Sequence, residues 1–342
     1  MPVDARFLVT SSKRVVDGRP YYAQVIVTDD CNLRCSYCDE YAAGAKAPSL
    51  EELKSRVDRL DALGVLVYDF LGGEPLMHPG LPALVEHAKS KRGGSNLATV
   101  ITNGFLLTRE NIRALNAAGL DFMQVSVDSV DPTALSMKAL KSVLPKLRLL
   151  AEEARFTVEV QTVLCERTVA EYDAFRAALK DLPFSFGFSV QHGPGGRIAI
   201  RGRQYLELLE RYGVFEGVNF YGEHLKEMLD GDFSRPWKCL AGLKFLYVNG
   251  RGEAQWCAQQ REWRVPLEKL TPAALRENDR HKPCEPGCAI GCARMVSHTL
   301  GEPLRTLGAS MSLAWHSFGS KPAAPSAGAP KKTEDKEPAL SR

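Results

Sequence analysis

The sequence predicts an α/β protein, an open, partial (βα)6 barrel followed by a small domain of a β-hairpin and helices. Between residues 20 and 190, short apolar runs alternate six times with segments of helical periodicity. This alternation is typical of parallel strands joined by right-handed crossover helices. After the glycine-rich residues 193–196 the alternation stops. Six βα units are too few for a complete eight-stranded barrel, so we expect a TIM-like barrel that stays open.

The six predicted strands are β-rich apolar runs that stop at glycine or polar residues. Because complete barrels carry their active sites at the carboxyl ends of the strands, we expect the chemistry of this protein there. The predicted strands begin at Tyr21, Val65, Leu97, Phe122, Thr157 and Phe184.

Capping signals locate the helices between these strands. Ser49 and Glu52 have the spacing of a capping box, and Gly64 follows the last apolar residue of that helix. The long helix after the fourth strand contains Pro145, where we expect a bend. The further helices are predicted over residues 81–89, 108–118, 136–154 and 170–181.

Downstream of residue 196 the pattern changes to two helices and a hairpin. The helices are predicted over residues 203–213 and 221–231, and the hairpin turns at Asn249-Gly250. A short helix is predicted after Thr271. The end of the chain is rich in Pro, Ala, Lys and Glu, so we predict that it is disordered. The predicted organisation is a lead-in (1–20), a core (21–196), linking helices (197–236), a small domain (237–316) and a tail (317–342).

Charge and hydropathy exclude several classes of protein. The 342 residues include 44 Lys and Arg against 41 Asp and Glu, which gives a formal net charge of +3. Because basic and acidic residues are interspersed, we expect no nucleic-acid partner. No apolar run approaches the roughly 20 residues of a membrane span, and the N-terminus lacks the apolar core of a signal peptide. The sequence therefore predicts a cytoplasmic protein without a membrane segment.

The nine cysteines fall into two groups and one isolated residue. Cys31, Cys35 and Cys38 follow the first predicted strand, and five more lie after residue 238. In a reducing compartment, clustered cysteines are metal ligands more often than disulfide partners. Three thiolates in one loop would leave one iron of a cubane iron–sulfur cluster open, as a catalytic metal site requires. A structural zinc site completed by a fourth ligand is the alternative.

Other strand ends carry residues suited to a ligand site. The second strand ends in Leu71-Gly72-Gly73-Glu74-Pro75, and Asn103 follows the third. Ser126 and Asp128 end the fourth strand. Glycine allows close backbone approach, and the polar side chains can accept or donate hydrogen bonds.

Taken in this order, the motifs resemble those of the radical S-adenosylmethionine (radical SAM) superfamily over residues 20–195. The resemblance implies that Cys31, Cys35 and Cys38 hold a [4Fe-4S] cluster whose fourth iron binds SAM. One electron then cleaves SAM to methionine and a 5′-deoxyadenosyl radical, which abstracts hydrogen from a substrate. A flavodoxin- or ferredoxin-type protein is the implied electron donor.

The resemblance also implies a set of SAM contacts. Tyr37 matches the aromatic residue that lies near the adenine, and residues 72–75 match the element that binds the SAM amino group. Two positions have alternatives, since Lys138 could be a solvated helix residue and His192 a loop residue or a substrate contact. The complete set of candidate cofactor contacts is Tyr37, Gly72, Gly73, Glu74, Pro75, Asn103, Ser126, Asp128, Lys138, Gln161, Gln191 and His192.

The late cysteines resemble the C-terminal SPASM or twitch extension of radical SAM enzymes, in which Gly-x4-Cys, here Gly252 to Cys257, opens an auxiliary site. Five cysteines are too few for the two clusters of a full SPASM domain, so the resemblance implies one auxiliary [4Fe-4S] cluster. The hypothesis favours Cys239, Cys257, Cys284 and Cys288 as ligands and keeps Cys292 as a close alternative. A structural zinc site is again the competing interpretation. Cys165 is expected to be a small buried hydrophobic residue, with a thiol facing the site as its alternative.

The sequence thus predicts a radical SAM enzyme with an auxiliary cluster that serves in electron transfer, for oxidation or bond formation. Two substrate classes stay open, a small molecule and a ribosomal peptide that is cross-linked or epimerised. Only about 20 residues precede the first strand, which is too few for the leader-binding domain that many peptide maturases carry; this favours a small molecule. A non-catalytic, zinc-stabilised binding protein is the alternative from another class.

Overall fold

The computed structural model describes residues 5–302 except 39, 41, 135 and 213–219. Within this part of the chain, one mixed sheet with the strand order β6-β5-β4-β3-β2-β1-β7-β8-β9 forms the centre of the fold. The first seven strands in that order are parallel, which confirms the α/β class and the open, partial barrel. The strands are β1 Tyr22–Thr28, β2 Val67–Gly72, β3 Leu97–Thr102, β4 Phe122–Ser126, β5 Thr157–Leu164, β6 Ser185–Val190, β7 Phe245–Val248, β8 Glu253–Gln255 and β9 Arg264–Pro266.

The helices follow the strands in the expected alternation. Ser49 and Glu52 form the predicted capping box, and Gly64 adopts a left-handed conformation with φ of 115° at the end of that helix. Pro145 lies inside its helix as predicted. The helices are α1 Ala5–Val16, α2 Leu50–Leu63, α3 Leu81–Lys89, α4 Arg109–Ala117, α5 Leu140–Glu153, α6 Glu166–Leu179, α7 Arg203–Arg211, α8 Phe220–Asp230, α9 Pro272–Arg276 and α10 Gly291–Gly301.

Two helix starts differ from the prediction for local reasons. Helix α5 begins at Leu140 rather than at Ser136, because the hydroxyl of Ser136 donates to the Asp128 carboxylate at 2.7 Å. In addition, Ala139 forms an isolated β-bridge with Ser129, just after β4. Helix α6 begins at Glu166, four residues earlier than expected, because Cys165 and Thr168 form a reciprocal cap. Polar contacts of single residues therefore decide where these helices begin, and apolar periodicity alone does not predict these boundaries.

The core lies between the parallel strands and the helices that cover them. Residues 23–27 of β1 are all buried, as expected for a strand that is covered on both faces. Leu53, Val57 and Leu60 of α2 point into the same core. The apolar interior leaves the carboxyl ends of the strands as the place where polar side chains gather.

The predicted hairpin extends the core sheet. Strand β7 pairs in parallel with β1 over Tyr22↔Phe245 to Val25↔Val248, so the sheet continues past the boundary expected at residue 236. Pairing removes the exposed edge that β1 would otherwise present. The lead-in also has structure, because residues 5–16 form α1. Helix α10 and strand β9 were not predicted, and the predicted tail (317–342) lies outside the described residues.

The glycine-rich segment after β6 joins the late cysteines to the barrel. Ala289 donates its backbone N–H to Gly196 at 2.8 Å, and Ile198 donates to Gly287 at 2.8 Å. A Cβ atom on Gly196, which has φ of +74°, would lie 2.8 Å from the Ile290 side chain. Glycine is therefore required for this close approach. Among the described residues, no helix is long and apolar enough to cross a membrane.

Candidate active site at the carboxyl ends of the strands

The carboxyl ends of the strands surround a cavity of about 300 Å³. The loop after β1 contributes Cys31, Cys35 and Cys38, and β7 contributes Tyr247. Residues 289–292, at the start of α10, cover the cavity from the C-terminal region. Of the candidate cofactor contacts, those that line it are Tyr37, Gly72, Gly73, Asn103, Ser126, Lys138, Gln191 and His192.

The three early cysteines lie on one short loop that Asp30 organises. The Asp30 carboxylate accepts the backbone N–H groups of Cys31 and Gly44, both at 3.0 Å. Cys35 is buried, with its sulfur 3.6 Å from the Ser136 hydroxyl, and Cys38 donates its N–H to the Cys35 carbonyl at 3.1 Å. Burial raises the pKa of the Cys31 and Cys38 thiols, and the neighbouring Cys35 adds to the shift. Three half-buried or buried thiols therefore face one cavity, and the raised pKa values of Cys31 and Cys38 favour their protonated form when no metal is bound.

The two glycines at the end of β2 allow this loop to pack closely. A Cβ atom on Gly73 would lie 2.1 Å from the Asp30 carbonyl oxygen, and one on Gly72 would lie 2.1 Å from that of Thr28. Gly73 instead donates its N–H to Thr28 at 2.8 Å. The pair thus ties the end of β2 to the start of the cysteine loop.

Glu74 faces the protein and not the cavity. Its fully buried carboxylate accepts hydrogen bonds from Thr102 Oγ1 at 2.6 Å, from Asn103 N at 2.8 Å and from Leu76 N at 3.0 Å. Pro75 is buried as well, at the start of a 3-10 helix, Pro75–Met77. Neither residue lines the cavity, so in this structure the candidate contacts of the 72–75 element are Gly72 and Gly73.

Asn103 links β3 to the cysteine loop. Its amide nitrogen donates to Asn32 Oδ1 at 2.8 Å and lies 3.9 Å from the Cys31 sulfur. Its own backbone N–H is held by Glu74. The side chain is therefore fixed at the edge of the cavity next to a candidate ligand.

A polar network joins the cysteine loop to the end of β4. The Tyr37 hydroxyl donates to Asp128 Oδ2 at 2.6 Å and accepts from Lys138 Nζ at 2.8 Å, while Ser136 donates to the same carboxylate oxygen at 2.7 Å. Burial opposes the charge on Lys138, but Asp128 and Tyr37 outweigh it, so the pKa of Lys138 is raised. Burial, reinforced by Asp128, raises the pKa of Tyr37. The network holds a protonated lysine and a neutral phenol beside Cys35.

Asp128 itself lines a smaller adjoining pocket. Its Oδ1 atom is buried and has no hydrogen-bond partner among the described residues. Gln191, Tyr37 and Cys165 line the same pocket. Cys165 was expected to be a small buried hydrophobic residue, with a thiol facing the site as the alternative; it is half-buried at the N-cap of α6, with its sulfur 3.2 Å from Thr168 Oγ1.

Gln161 and His192 lie further from the cysteines. Gln161 does not line the cavity and donates to Ser189 Oγ at 2.7 Å. His192 is exposed and lies between the cavity and an open groove formed with residues 193–195, Gln259 and Arg261. Its position is at the mouth of the site.

Four of the five late cysteines form a group. The thiol of Cys288 has its pKa raised by burial and by the nearby thiols of Cys239, Cys257 and Cys284. Burial raises the pKa of Cys257 to about 12, and Cys239 and Cys284 contribute to the shift. Cys239, Cys257 and Cys288 are buried, while Cys284 is half-buried. The group is thus a set of thiols close enough to interact.

The fifth late cysteine, Cys292, faces the central cavity instead. Gln24 of β1 donates to its sulfur at 3.5 Å, and the same amide group donates to Asp69 Oδ2 at 3.1 Å. Burial raises the pKa of Cys292 to about 12, with Asp69 as the next contribution. The thiol therefore lies on the wall that the barrel and the C-terminal region share.

Among the described residues, no group of three or more His, Cys, Asp or Glu side chains is arranged to hold a single metal ion. A zinc ion lies about 2.3 Å from each thiolate sulfur. The cysteines of a four-iron cluster bind separate iron atoms and therefore lie further apart than the ligands of one ion.

Comparison with known proteins adds the family. The family model of the Radical SAM superfamily matches residues 25–148, which include the cysteine loop and residues 72–75. Residues 25–148 of this chain are therefore a radical SAM domain. The matched region of this radical SAM domain extends from β1 into α5.

Several similar curated proteins are named GTP 3',8-cyclase. The one from Chlorobaculum tepidum is 40% identical over 112 residues, 32% of this chain and 33% of that protein. The one from Aeromonas hydrophila subsp. hydrophila is 30% identical over 201 residues, 55% of this chain and 58% of that protein. This chain therefore spans between about a third and three fifths of the length of these relatives.

Solved structures share the fold of this chain over most of its length. Streptococcus suis SuiB has a TM-score of 0.59 at 14% identity, and the match covers 79% of this chain and 68% of SuiB. The structure described as native anSMEcpe with bound AdoMet and Cp18Cys peptide has a TM-score of 0.53 at 17% identity, with coverage of 78% and 82%.

Sequence reasoning missed several residues of this candidate site. Gln24 sits in an apolar strand, where alternation with Val25 and Val27 could have marked it as an inward polar position. Asp30 and Asn32 flank Cys31 and could have been noticed there. Ser136 carries no signal, because only the fold brings it to Cys35 and Asp128.

Proposed function

We propose that this chain is a radical SAM enzyme that holds a [4Fe-4S] cluster on Cys31, Cys35 and Cys38 and binds SAM in the cavity that these cysteines line. The observation that carries the proposal is that these three thiols share one cavity with the residues at the ends of β2, β3 and β4. When bound, the cluster and SAM together supply a 5′-deoxyadenosyl radical by one-electron cleavage. A flavodoxin- or ferredoxin-type protein would supply the electron.

The residues beside the cysteines suit the charged parts of SAM. Lys138 is protonated and lines the cavity, so it can pair with the SAM carboxylate. The backbone at Gly72 and Gly73 lies open to the cavity, where its carbonyl groups can accept from the SAM amino group. Asp128 has an unused buried oxygen in the adjoining pocket, which can accept from a ribose hydroxyl. The remaining candidate contacts are Tyr37, Asn103, Ser126, Gln191 and, at the mouth, His192.

We further propose that Cys239, Cys257, Cys284 and Cys288 hold an auxiliary [4Fe-4S] cluster in a SPASM- or twitch-like region. The mutual influence of these four thiols supports the ligand set. Cys292 is left out because its sulfur contacts Gln24 on the cavity side. Since four protein thiolates leave no open iron, the cluster would accept an electron from the substrate and not bind the substrate itself.

A small molecule is the favoured substrate. The cavity between the strand ends and residues 289–292 has a volume of about 300 Å³ and would also hold SAM, which leaves little room for a large substrate. The curated relatives named GTP 3',8-cyclase, which act on a small molecule, are consistent with this choice. A ribosomal peptide remains the alternative outcome of a substrate assay.

The early cluster is tested by a matched pair of substitutions, Cys35→Ala and Cys257→Ala, each of which removes one buried thiol. After anaerobic reconstitution we expect about eight irons per chain in the native protein and about four in each variant, since a cubane contains four. Reductive formation of 5′-deoxyadenosine should be lost in Cys35→Ala and retained in Cys257→Ala. Zinc without sulfide in the native protein, or SAM cleavage by Cys35→Ala, would refute the proposal.

The auxiliary ligand set is tested by two neighbouring cysteines of one run. Cys288→Ala should lose about four irons, whereas Cys292→Ala should keep about eight, because Cys288 interacts with all three other thiols of the group, while Cys292 interacts with Cys257 alone and contacts Gln24. Iron and sulfide analysis with electron paramagnetic resonance (EPR) of the reduced proteins measures both. The reverse pattern would assign Cys292 to the cluster and overturn the set.

A further inference from the structure

Two buried cations lie against the backbone of the late cysteines, and neither has been given a role. Arg294 of α10 is 0% exposed and Lys282 is 3% exposed. We propose that Arg294 and Lys282 raise the reduction potential of the auxiliary cluster and so make it an electron acceptor. The inference rests on the proposed auxiliary site.

Arg294 acts on the side of Cys288. Its Nη1 atom donates to the Cys288 carbonyl oxygen at 2.7 Å and lies 2.8 Å from the sulfur of Met228. The guanidinium lies 4.9 Å from the centre of the Trp237 ring. The guanidinium is thus buried and lies one residue's backbone away from a candidate ligand sulfur.

Lys282 has the equivalent position beside Cys239. Its Nζ atom donates to the carbonyl oxygens of Cys239 at 2.7 Å and of Asn278 at 3.1 Å. The ammonium group is therefore held one residue's backbone away from a second candidate ligand sulfur.

One buried carboxylate accompanies these two cations. Glu285 accepts the N–H groups of Cys239 at 2.8 Å and Lys282 at 3.0 Å, and its other oxygen contacts His281 Nδ1 at 2.7 Å. Glu285 thus balances one of the two positive charges beside the four thiols. Removal of either cation lowers the positive charge beside the four thiols by one unit.

The direction of the effect follows from electrostatics. Buried charges interact more strongly than exposed ones, because the surrounding dielectric is low. Reduction adds one negative charge to the cluster, so a fixed buried cation stabilises the reduced form more than the oxidised form. Net charge and hydrogen bonding are among the factors that set iron–sulfur potentials. A raised potential suits a cluster that takes an electron from a substrate radical.

The experiment uses the full chain with Cys31, Cys35 and Cys38 replaced by Ala, so that only the auxiliary cluster contributes to the EPR signal. Arg294→Met and Lys282→Met keep side-chain length and remove the charge. Each should lower the midpoint potential by an amount equal to at least a tenfold change in the reduction equilibrium, about 59 mV for one electron. The control is Arg280→Met, which removes an exposed cation of the same region and should shift the potential by less than a third of that.

Arg294→Lys provides a second measure, because it keeps the positive charge. Its midpoint potential should shift by less than half as much as that of Arg294→Met. Four-iron proteins with unchanged potentials in both Met variants would overturn the inference. So would equal shifts for Arg294→Lys and Arg294→Met. Absence of iron from the parent protein itself would instead overturn the proposed auxiliary site.

Discussion

Glu74 provides a direct test of how the strand ends hold the cysteine loop. The carboxylate of this fully buried residue receives two backbone N–H groups, from Leu76 and Asn103, and the Thr102 hydroxyl. Its own N–H donates to the Asp30 carbonyl at 2.9 Å, next to Cys31. Replacing the side chain therefore perturbs β2, β3 and the cysteine loop together.

The size of the effect follows from the number of donors that lose their acceptor. A buried donor left without a partner costs about 1–3 kcal/mol. Glu74→Ala leaves two fixed N–H groups unpaired, while the Thr102 hydroxyl can rotate, so we expect a loss of about 2–6 kcal/mol. In Glu74→Gln one carboxylate oxygen is replaced by an NH2 group, so only one of the two backbone N–H groups loses its acceptor. We expect the free energy of unfolding to fall by about 1–3 kcal/mol.

Urea unfolding of the cluster-free protein, followed by far-UV circular dichroism, measures these differences in the free energy of unfolding. The control is Glu86→Gln on the exposed side of α3, which should change stability by less than about 0.5 kcal/mol. Iron loading of the early site should fall in the same order as stability. Equal stability of native protein, Glu74→Gln and Glu74→Ala would refute the reasoning.

Three further predictions concern the same region and the thiols. Gly73→Ala would place a Cβ atom 2.1 Å from a backbone oxygen, so the iron content of the early site should fall by at least half. The control is Gly18→Ala, whose Cβ atom would have no contact shorter than 3.7 Å and which should keep its iron. Equal iron contents in the two variants would contradict this prediction. Tyr37→Phe removes the hydroxyl that holds Asp128, so calorimetry should show SAM binding weakened about tenfold, and unchanged affinity would argue against the network. Burial raises the pKa of Cys257 to about 12 from an unfolded value of about 8.5, so the folded cluster-free protein binds more protons than the unfolded chain at alkaline pH. Its stability contribution is present below about pH 8.5 and is lost above it, and unfolding at pH 7.5 and 10 should show this decrease; a rise would contradict the assignment.

The strands were predictable because each has a local signal. All six core strands lie within three residues of their predicted starts, since buried parallel strands are apolar runs that end at polar residues or glycine. The α2 cap was predictable from Ser49, Glu52 and Gly64 alone. Helix α6 was misplaced at its start because Cys165 is an unusual cap residue.

The site was predictable only in part, because only some of its residues have a local sequence signal. Cysteine spacing and the glycine pair mark the loop after β1 and the end of β2. The contact between Cys35 and Ser136 joins residues 101 positions apart, and that between Gln24 and Cys292 joins residues 268 apart. No periodicity reports such contacts, because they depend on where separate elements meet.

The sequence by itself determined the α/β class, the order of strands and helices, and the existence of two cysteine groups, because these depend on neighbouring residues and short spacings. Only the tertiary structure decided that β7 joins the edge of β1, that Glu74 points into the protein, and that Cys292 faces the cavity apart from the other late cysteines. It also placed Arg294 and Lys282 against the cysteine backbone. Burial and electrostatic environment arise from packing between distant segments, so they exist only once the chain has folded.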